Sequence, residues 1–293
     1  MVENPTVSYE CTMMFGNNTK SSWPCREYEL EGTSANANCK SNYHLGHRES
    51  FPSTAKCVDG LWEKLTNCVP AAHCFYDVNT ERTKPAENYA VAADKIYPNW
   101  NDTRDLYVVK RFVKNIYIPT TYRHADNSHQ DDIALLIVDQ PFEYSAHIRP
   151  VCLDLDLTFE MKHLKPGNMG KVAGWGMIDT SGVASDVLKV VELPVVDVDT
   201  CWERAPFDFR SHITSNTFCA GYYNGTALCE GDSGGGLTFP STESTTIRYY
   251  LRGIVSTSPP APDQAACNAF TPTIFTKVTS QAAFLREFLY EEY

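Results

Sequence analysis

An all-β chain that ends in one helix, preceded by a separate cysteine-stapled segment, is what this sequence predicts. Three observations carry the prediction. From residue 88 onward, short apolar runs alternate with turn signals. Near the C-terminus the period changes, because Phe284, Leu285, Phe288 and Leu289 recur at helical spacing. Residues 1 to about 70 differ from both, being rich in Asn, Ser, Thr and Cys, with scattered aromatics and no helical period.

The strand candidates, in order, are Tyr89 to Ile96, Tyr107 to Ile118, Ile133 to Val138, Lys171 to Gly174, Leu188 to Val196, Tyr249 to Ser256 and Ile274 to Val278. Ser241 to Thr246 is uniformly polar and reads as a hairpin loop. Ser258 to Asp263 carries three prolines and reads as an irregular loop. Ser280 to Tyr290 should be a helix laid on the body of the fold. No repeat or low-complexity tract interrupts this order.

Composition narrows the class. A length of 293 residues suits one large or two modest domains, and a 43% apolar content is ample for a core. The longest apolar run, Ile133 to Val138, is far too short to cross a bilayer. A net charge of −11 argues against nucleic acid or an acidic membrane surface as partner. Eleven cysteines without a Cys-x-x-Cys pair argue against zinc and for disulfides in an oxidising compartment. Three sequons, at Asn17, Asn101 and Asn224, agree with an extracellular location. Met1-Val2-Glu3-Asn4-Pro5 begins no signal peptide, so the expectation is a true N-terminus lying upstream.

Leu228-Cys229-Glu230-Gly231-Asp232-Ser233-Gly234-Gly235-Gly236 is the segment that carries chemistry. A serine among glycines sits where the backbone turns sharply and presents its amides. The N–H groups of Gly231 and Ser233 could then converge beside the Ser233 hydroxyl, the geometry that holds the oxyanion of a tetrahedral acyl intermediate. Such a serine needs a base and a group to orient that base. Ala71-Ala72-His73-Cys74 supplies an imidazole, and Asp131-Asp132-Ile133-Ala134-Leu135-Leu136 a carboxylate.

The order His73, Asp132, Ser233, with Gly174-Trp175-Gly176 and Cys219-Ala220-Gly221 between, resembles the chymotrypsin-like (trypsin family, S1) serine proteases over about Ala71 to Tyr293. The resemblance implies two six-stranded β-barrels, a C-terminal helix, and no metal or organic cofactor. His73 would take the proton of Ser233, and Asp132 would orient and stabilise the imidazole. It also implies disulfides Cys201–Cys219 and Cys229–Cys267, an Asp132–Ser256 hydrogen bond, and a primary specificity pocket with Ala227 at its base and Ser258 and Thr273 on its walls. Ala227 offers no charge to a basic side chain, so a small or medium apolar residue is the expected substrate side chain. Ser256-Thr257-Ser258 would bind the substrate backbone.

Cys25, Cys39, Cys57 and Cys68, with Gly60-Leu61-Trp62 before the last, resemble a sushi module. That implies a small β module over residues 1–70, with Cys25–Cys57 and Cys39–Cys68 paired, and a recognition partner or a spacer role. Together with Ala227 and Asn224-Gly225-Thr226-Ala227-Leu228-Cys229, the combination looks like the insect modular serine proteases, zymogens of extracellular innate-immune cascades. The expected partner is a protein substrate such as a downstream protease zymogen.

One departure from the family stands out. Pro70 runs directly into Ala71, with no Ile-Val-Gly-Gly start and no segment to supply the opening strands of the first barrel. An incomplete first barrel is therefore expected, with Cys11, Cys74 and Cys152 unpaired and Asp232 without the N-terminal amine that pairs with it in the family. A segment skipped between Pro70 and Ala71 accounts for the missing strands and for the unpaired Cys74 and Cys152. Two functional readings follow: a serine endopeptidase, or a catalytically silent homologue that acts by binding.

Overall fold

The structure is a computed structural model. It describes the backbone of residues 7–14, 20–24, 34–39, 54–58, 61–62, 65 and 289. Backbone and side chains are described for 66–124, 129–145, 147–176, 183–241, 247–259, 268 and 270–288. The first strands are β1 (Val7–Met14), β2 (Lys20–Pro24), β3 (Ser34–Cys39), β4 (Thr54–Val58) and β5 (Leu61–Trp62). They form one antiparallel sheet in the order β2-β1-β3-β4-β5, consistent with a segment lacking helical periodicity.

The next strands are β6 (Leu65–Cys68), β7 (Tyr76–Asp77), β8 (Arg82–Thr83), β9 (Ala90–Ala93), β10 (Val109–Tyr117) and β11 (Leu135–Phe142). β7 and β8 form a small hairpin, and the rest an open four-stranded sheet in the order β6-β11-β10-β9. The run Ile133 to Val138 is continuously apolar because it is buried on both sides. Leu136 packs with Phe75, Val113 and Tyr122 on one side. Ile133 and Leu135 face the other barrel.

That other barrel closes on itself. It comprises β12 (Met169–Gly174), β13 (Lys189–Val196), β14 (Thr217–Ala220), β15 (Gly236–Ser241), β16 (Arg248–Thr257) and β17 (Thr273–Lys277), in the order β12-β13-β14-β17-β16-β15. Lys171 opposite Thr238 completes the ring. Val172, Leu193, Val195, Leu237, Phe239 and Phe275 fill its interior.

Helices α1 (Leu157–His163) and α2 (Val198–Arg204) start on aspartate caps, Asp156 and Asp197, each accepting two backbone N–H bonds. Helix α3 (Ala282–Leu289) follows a 3-10 turn at Thr279–Gln281. Leu285 is fully buried among Ala71, Ile133, Leu135, Leu251, Ile254 and Val278, and that burial contributes roughly 1.5–3 kcal/mol. This shared core joins the open sheet, the closed barrel and α3, and the catalytic candidates lie along its edge. The architecture is thus the expected all-β double barrel with an incomplete first barrel and a C-terminal helix.

The domain start expected at residue 71 needs moving. β6 pairs with β11, with Cys68 opposite Leu136 and Asn67 opposite Ile137, and the Ala134 N–H donates to the Pro70 carbonyl at 2.7 Å. Residues 65–70 therefore belong to the open sheet, so one strand ahead of His73 is present. The reason for the misplacement is Cys68, which the sequence reading gave to the N-terminal module. Its thiol is free, so the expected Cys39–Cys68 bond is not formed, and burial pushes its pKa up to about 11. Cys74 and Cys152 are free as well. Cys25, and with it the Cys25–Cys57 bond, lies outside the described residues. Cys201–Cys219 is formed across a separation of 18 residues, worth about 3 kcal/mol. Cys229 is disulfide-bonded, while its expected partner Cys267 lies outside the described residues.

The incomplete sheet has a visible cost. Among the described strands β6 and β9 are the two edges of this sheet, and Phe112 on β10 remains 67% exposed.

Candidate active site

His73 sits in a 3-10 turn, Ala72–Cys74, just after β6, and Asp132 lies just before β11. The pairing of these strands brings the two together across 59 residues of sequence. His73 Nδ1 lies 2.7 Å from Asp132 Oδ2, and the His73 backbone N–H donates to Asp132 Oδ1 at 2.8 Å. Ser256 Oγ donates to the same Oδ2 at 2.6 Å. A carboxylate only accepts, so Nδ1 carries a proton, and in the neutral imidazole the lone pair is on Nε2. Asp132 is fully buried. Burial alone would raise its pKa, but the bonds from His73 and Ser256 outweigh this and hold it below the ordinary value. Burial likewise opposes charge on His73. The Asp132 hydrogen bond and charge, with a contribution from Cys74, outweigh that and hold the imidazole above its ordinary value.

Ser233 is exposed on the turn between β14 and β15. The Gly234 N–H donates to Val255 O, and the Val255 N–H to Gly235 O, each at 2.9 Å. This two-way link ties the turn to β16, one residue before Ser256. On its other side Gly234 packs so close to Ala71 that a β-carbon there would lie 3.2 Å from the Ala71 nitrogen. The turn is therefore wedged against the segment that ends in His73. Among the described residues, Ser233 Oγ makes no hydrogen bond to His73. In substrate-free sites such bonds are often long and close only in the complex.

Gly231 has φ +99°, a left-handed conformation that a side chain would strain. Among the described residues, no acceptor takes the N–H of Gly231 or of Ser233. Both amides are thus available at the turn that exposes Ser233. Asp232 between them does have partners, contrary to expectation. Its carboxylate accepts from the Gly176 N–H at 2.8 Å and the Cys229 N–H at 3.1 Å. No cation among the described residues pairs with it. These two amides seat the carboxylate, and the sequence reading overlooked them because backbone donors leave no signature in residue identity.

A second overlooked feature holds the Asp132 loop. Asp131 is buried in the left-handed region, φ +56°. Asn216 Nδ2 and Gln281 Nε2 both donate to its Oδ1, at 2.8 and 2.6 Å. These amides come from the ends of the closed barrel and α3, so they fasten the aspartate loop to the other half of the molecule. Gln281→Ala leaves one buried acceptor bond unmade and should cost about 1–3 kcal/mol, read as a lower melting temperature.

At the predicted pocket, Ser258 Oγ donates to Thr273 Oγ1 at 3.0 Å. The two residues expected on the pocket walls touch each other. Thr273 is buried, and Ala227 and Ser258 are half-buried.

Among the described residues, one group of histidines, cysteines and carboxylates is close enough to share a metal ion. His73, His129 and Asp132 each offer a ligand atom, all within 4.8 Å of one another. Burial holds the His129 pKa below its ordinary value, so that ring is neutral near pH 7.

Residues 66–285 match the trypsin family. The chain is 34% identical over 225 residues to clotting factor C of Tachypleus tridentatus, covering 75% of this chain and 21% of that protein. It is 31% identical over 203 residues to modular serine protease of Drosophila melanogaster, covering 68% and 30%. Clotting factor G beta subunit of Tachypleus tridentatus is 29% identical over 242 residues, covering 80% and 72%. The chain thus spans less than a third of the length of the first two of these relatives. No helix among the described residues is long and apolar enough to cross a membrane. With three loop-borne motifs in family order and a match covering most of its length, the chain belongs to the trypsin family of serine proteases.

Proposed function

We propose that this chain is the catalytic part of an extracellular serine endopeptidase that cuts a protein substrate, such as the zymogen of another protease, within a proteolytic cascade. Ser233 Oγ attacks the scissile carbonyl as its proton passes to His73 Nε2. Asp132 stabilises the imidazolium, and the N–H groups of Gly231 and Ser233 hold the oxyanion. Collapse expels the amine with the proton from His73, and water then releases the acyl group by the same route. The observation that carries this reading is the bonded chain Ser256–Asp132–His73, with the Ser233 turn anchored both to Val255 and against Ala71. The cysteine content and sequons support the compartment, and the relatives' names support the cascade. Residues ahead of β6 would form a recognition module.

The pocket reading follows from the Ser258–Thr273 contact, which narrows the slot above uncharged Ala227. Small or medium apolar side chains such as Val or Leu should be preferred. Replacing both wall residues by glycine should shift relative kcat/KM toward Phe and Tyr by roughly 10–100-fold, scored on a peptide panel. Fastest cleavage after Arg by the unaltered chain would refute the pocket assignment.

The open sheet and the absence, among the described residues, of a cation beside Asp232 favour the second reading, a silent homologue. A fluorophosphonate probe, which modifies only an activated serine, separates the two. Labelling of the secreted chain at Ser233, lost in Ser233→Ala, is expected for the enzyme. Folded, soluble protein that stays unlabelled would sink the catalytic reading.

A further inference from the structure

His129 is not needed by the triad, yet it sits beside it. Its ring centre is 5.8 Å from that of His73, with the planes at 80°. Its backbone is in the left-handed region at φ +48°, which strains a non-glycine residue. Its Nδ1 is buried with no hydrogen-bond partner among the described residues, a second cost. A strained histidine with an unsatisfied ring nitrogen beside a second imidazole is a donor set waiting for an electron-pair acceptor. A divalent transition ion is such an acceptor, and imidazole suits zinc and copper, whereas calcium and magnesium require oxygen.

The spacing fits. With Zn–N of about 2.1 Å and roughly 1.1 Å from nitrogen to ring centre, two imidazoles at a tetrahedral angle have centres about 5.2 Å apart. The observed separation is about half an ångström wider than that, a change within the reach of small side-chain rotations. The surroundings fit as well. A metal-bound histidine typically donates its other ring N–H to a carboxylate, and His73 already does so to Asp132. Asp132 is too heavily engaged, by His73 and Ser256, to turn away as a primary ligand without losing those bonds. It would serve as the outer partner that orients His73.

We propose that His73 and His129 together bind a zinc-like divalent ion, with water completing the coordination, and that the bound ion withholds the His73 Nε2 lone pair from Ser233. Binding is independent of catalysis, while the inhibitory consequence rests on the triad reading above. The site is a reversible brake: the lone pair that would accept the serine proton is occupied by the metal until a chelator removes it.

The test uses the full chain, freed of metal by a chelator and dialysed. Calorimetric titration with zinc chloride should show a binding event that His129→Gln and His73→Gln each weaken by at least the roughly 10–100-fold that loss of an outer-sphere partner costs. Cobalt(II) should give the intense visible bands of a four-coordinate ion in the unaltered chain and not in either variant. As a check that needs no variant, saturating zinc should protect His73 and His129 from diethyl pyrocarbonate in a mass-spectrometric footprint. If the metal-free chain labels with fluorophosphonate, zinc should slow that labelling and chelator should restore it. No zinc binding, equal binding by the unaltered chain and His129→Gln, unprotected rings, or labelling undiminished at saturating zinc would each overturn the site as proposed. A chain that binds zinc as expected but never labels supports the metal site and removes the triad reading instead.

Discussion

Asp132→Asn is expected to reduce kcat by about 10⁴-fold, the loss known for well-studied triads built from these same three groups. The substitution keeps the shape but can donate where the carboxylate only accepts. The amide then favours the tautomer with the proton on Nε2, where the Ser233 proton must go. A second signature is the pH profile. His73 must be neutral to accept a proton, so activity is lost as pH falls through its folded pKa. Asp132 holds that pKa above 6.5, so the acid limb of kcat/KM should lie above 6.5 in the unaltered chain. With asparagine the residual activity should persist to lower pH, because burial then acts on His73 without the opposing carboxylate.

The same pair predicts where stability depends on pH. His73 has a raised folded pKa, so its contribution is full below 6.5 and fades as pH rises through the folded value. Asp132 has a lowered folded pKa, so its contribution is present above 3.8 and is lost as pH falls through the folded value. Melting temperature should therefore fall most on substitution between about pH 4 and 6.5, where both contributions are present. An Asp132→Asn chain with unaltered kcat and acid limb would show that the carboxylate is structural only.

What the sequence made legible follows from where the chemistry is local. The Ser233 turn advertises itself because glycines on both sides of a serine have few other uses. The strand run before Val138 was legible because burial on both sides leaves it unbroken. Thr217–Ala220 was not legible, since all four residues are buried and no alternation marks so short a strand. β6 was missed because Cys68 satisfied a plausible cysteine spacing, and backbone pairing with Leu136 leaves no trace in residue identity. Asn216 and Gln281 lie 85 and 150 residues from Asp131, so no window of sequence could connect them. His129 lies three residues before Asp132, but one histidine near one aspartate is common, and only its unpartnered nitrogen distinguishes it.

Gly176→Ala should reduce kcat by about 10²–10³-fold, the price of losing oxyanion stabilisation, with a smaller effect on KM. A β-carbon at 176 would overlap the Asp232 carboxylate, and one at 174 would do the same. The carboxylate cannot simply swing aside. It is bound by the Gly176 and Cys229 amides, and its own N–H donates to Cys229 O at 3.0 Å. Displacing it moves residue 232, and the residues on either side supply the two amides proposed to hold the oxyanion. The stability cost should be only about 1–3 kcal/mol, because the carboxylate moves toward solvent rather than being left buried and bare. Gly167→Ala is the control: φ is +87° there with nothing within 4 Å of the added carbon, so it strains the backbone but leaves the site untouched. If both variants lose stability alike and only Gly176→Ala loses turnover, the seat of Asp232 sets the oxyanion amides. Equal turnover in the two variants would instead mean that those amides are positioned by the Gly234–Val255 ladder alone, since that link does not pass through residue 176.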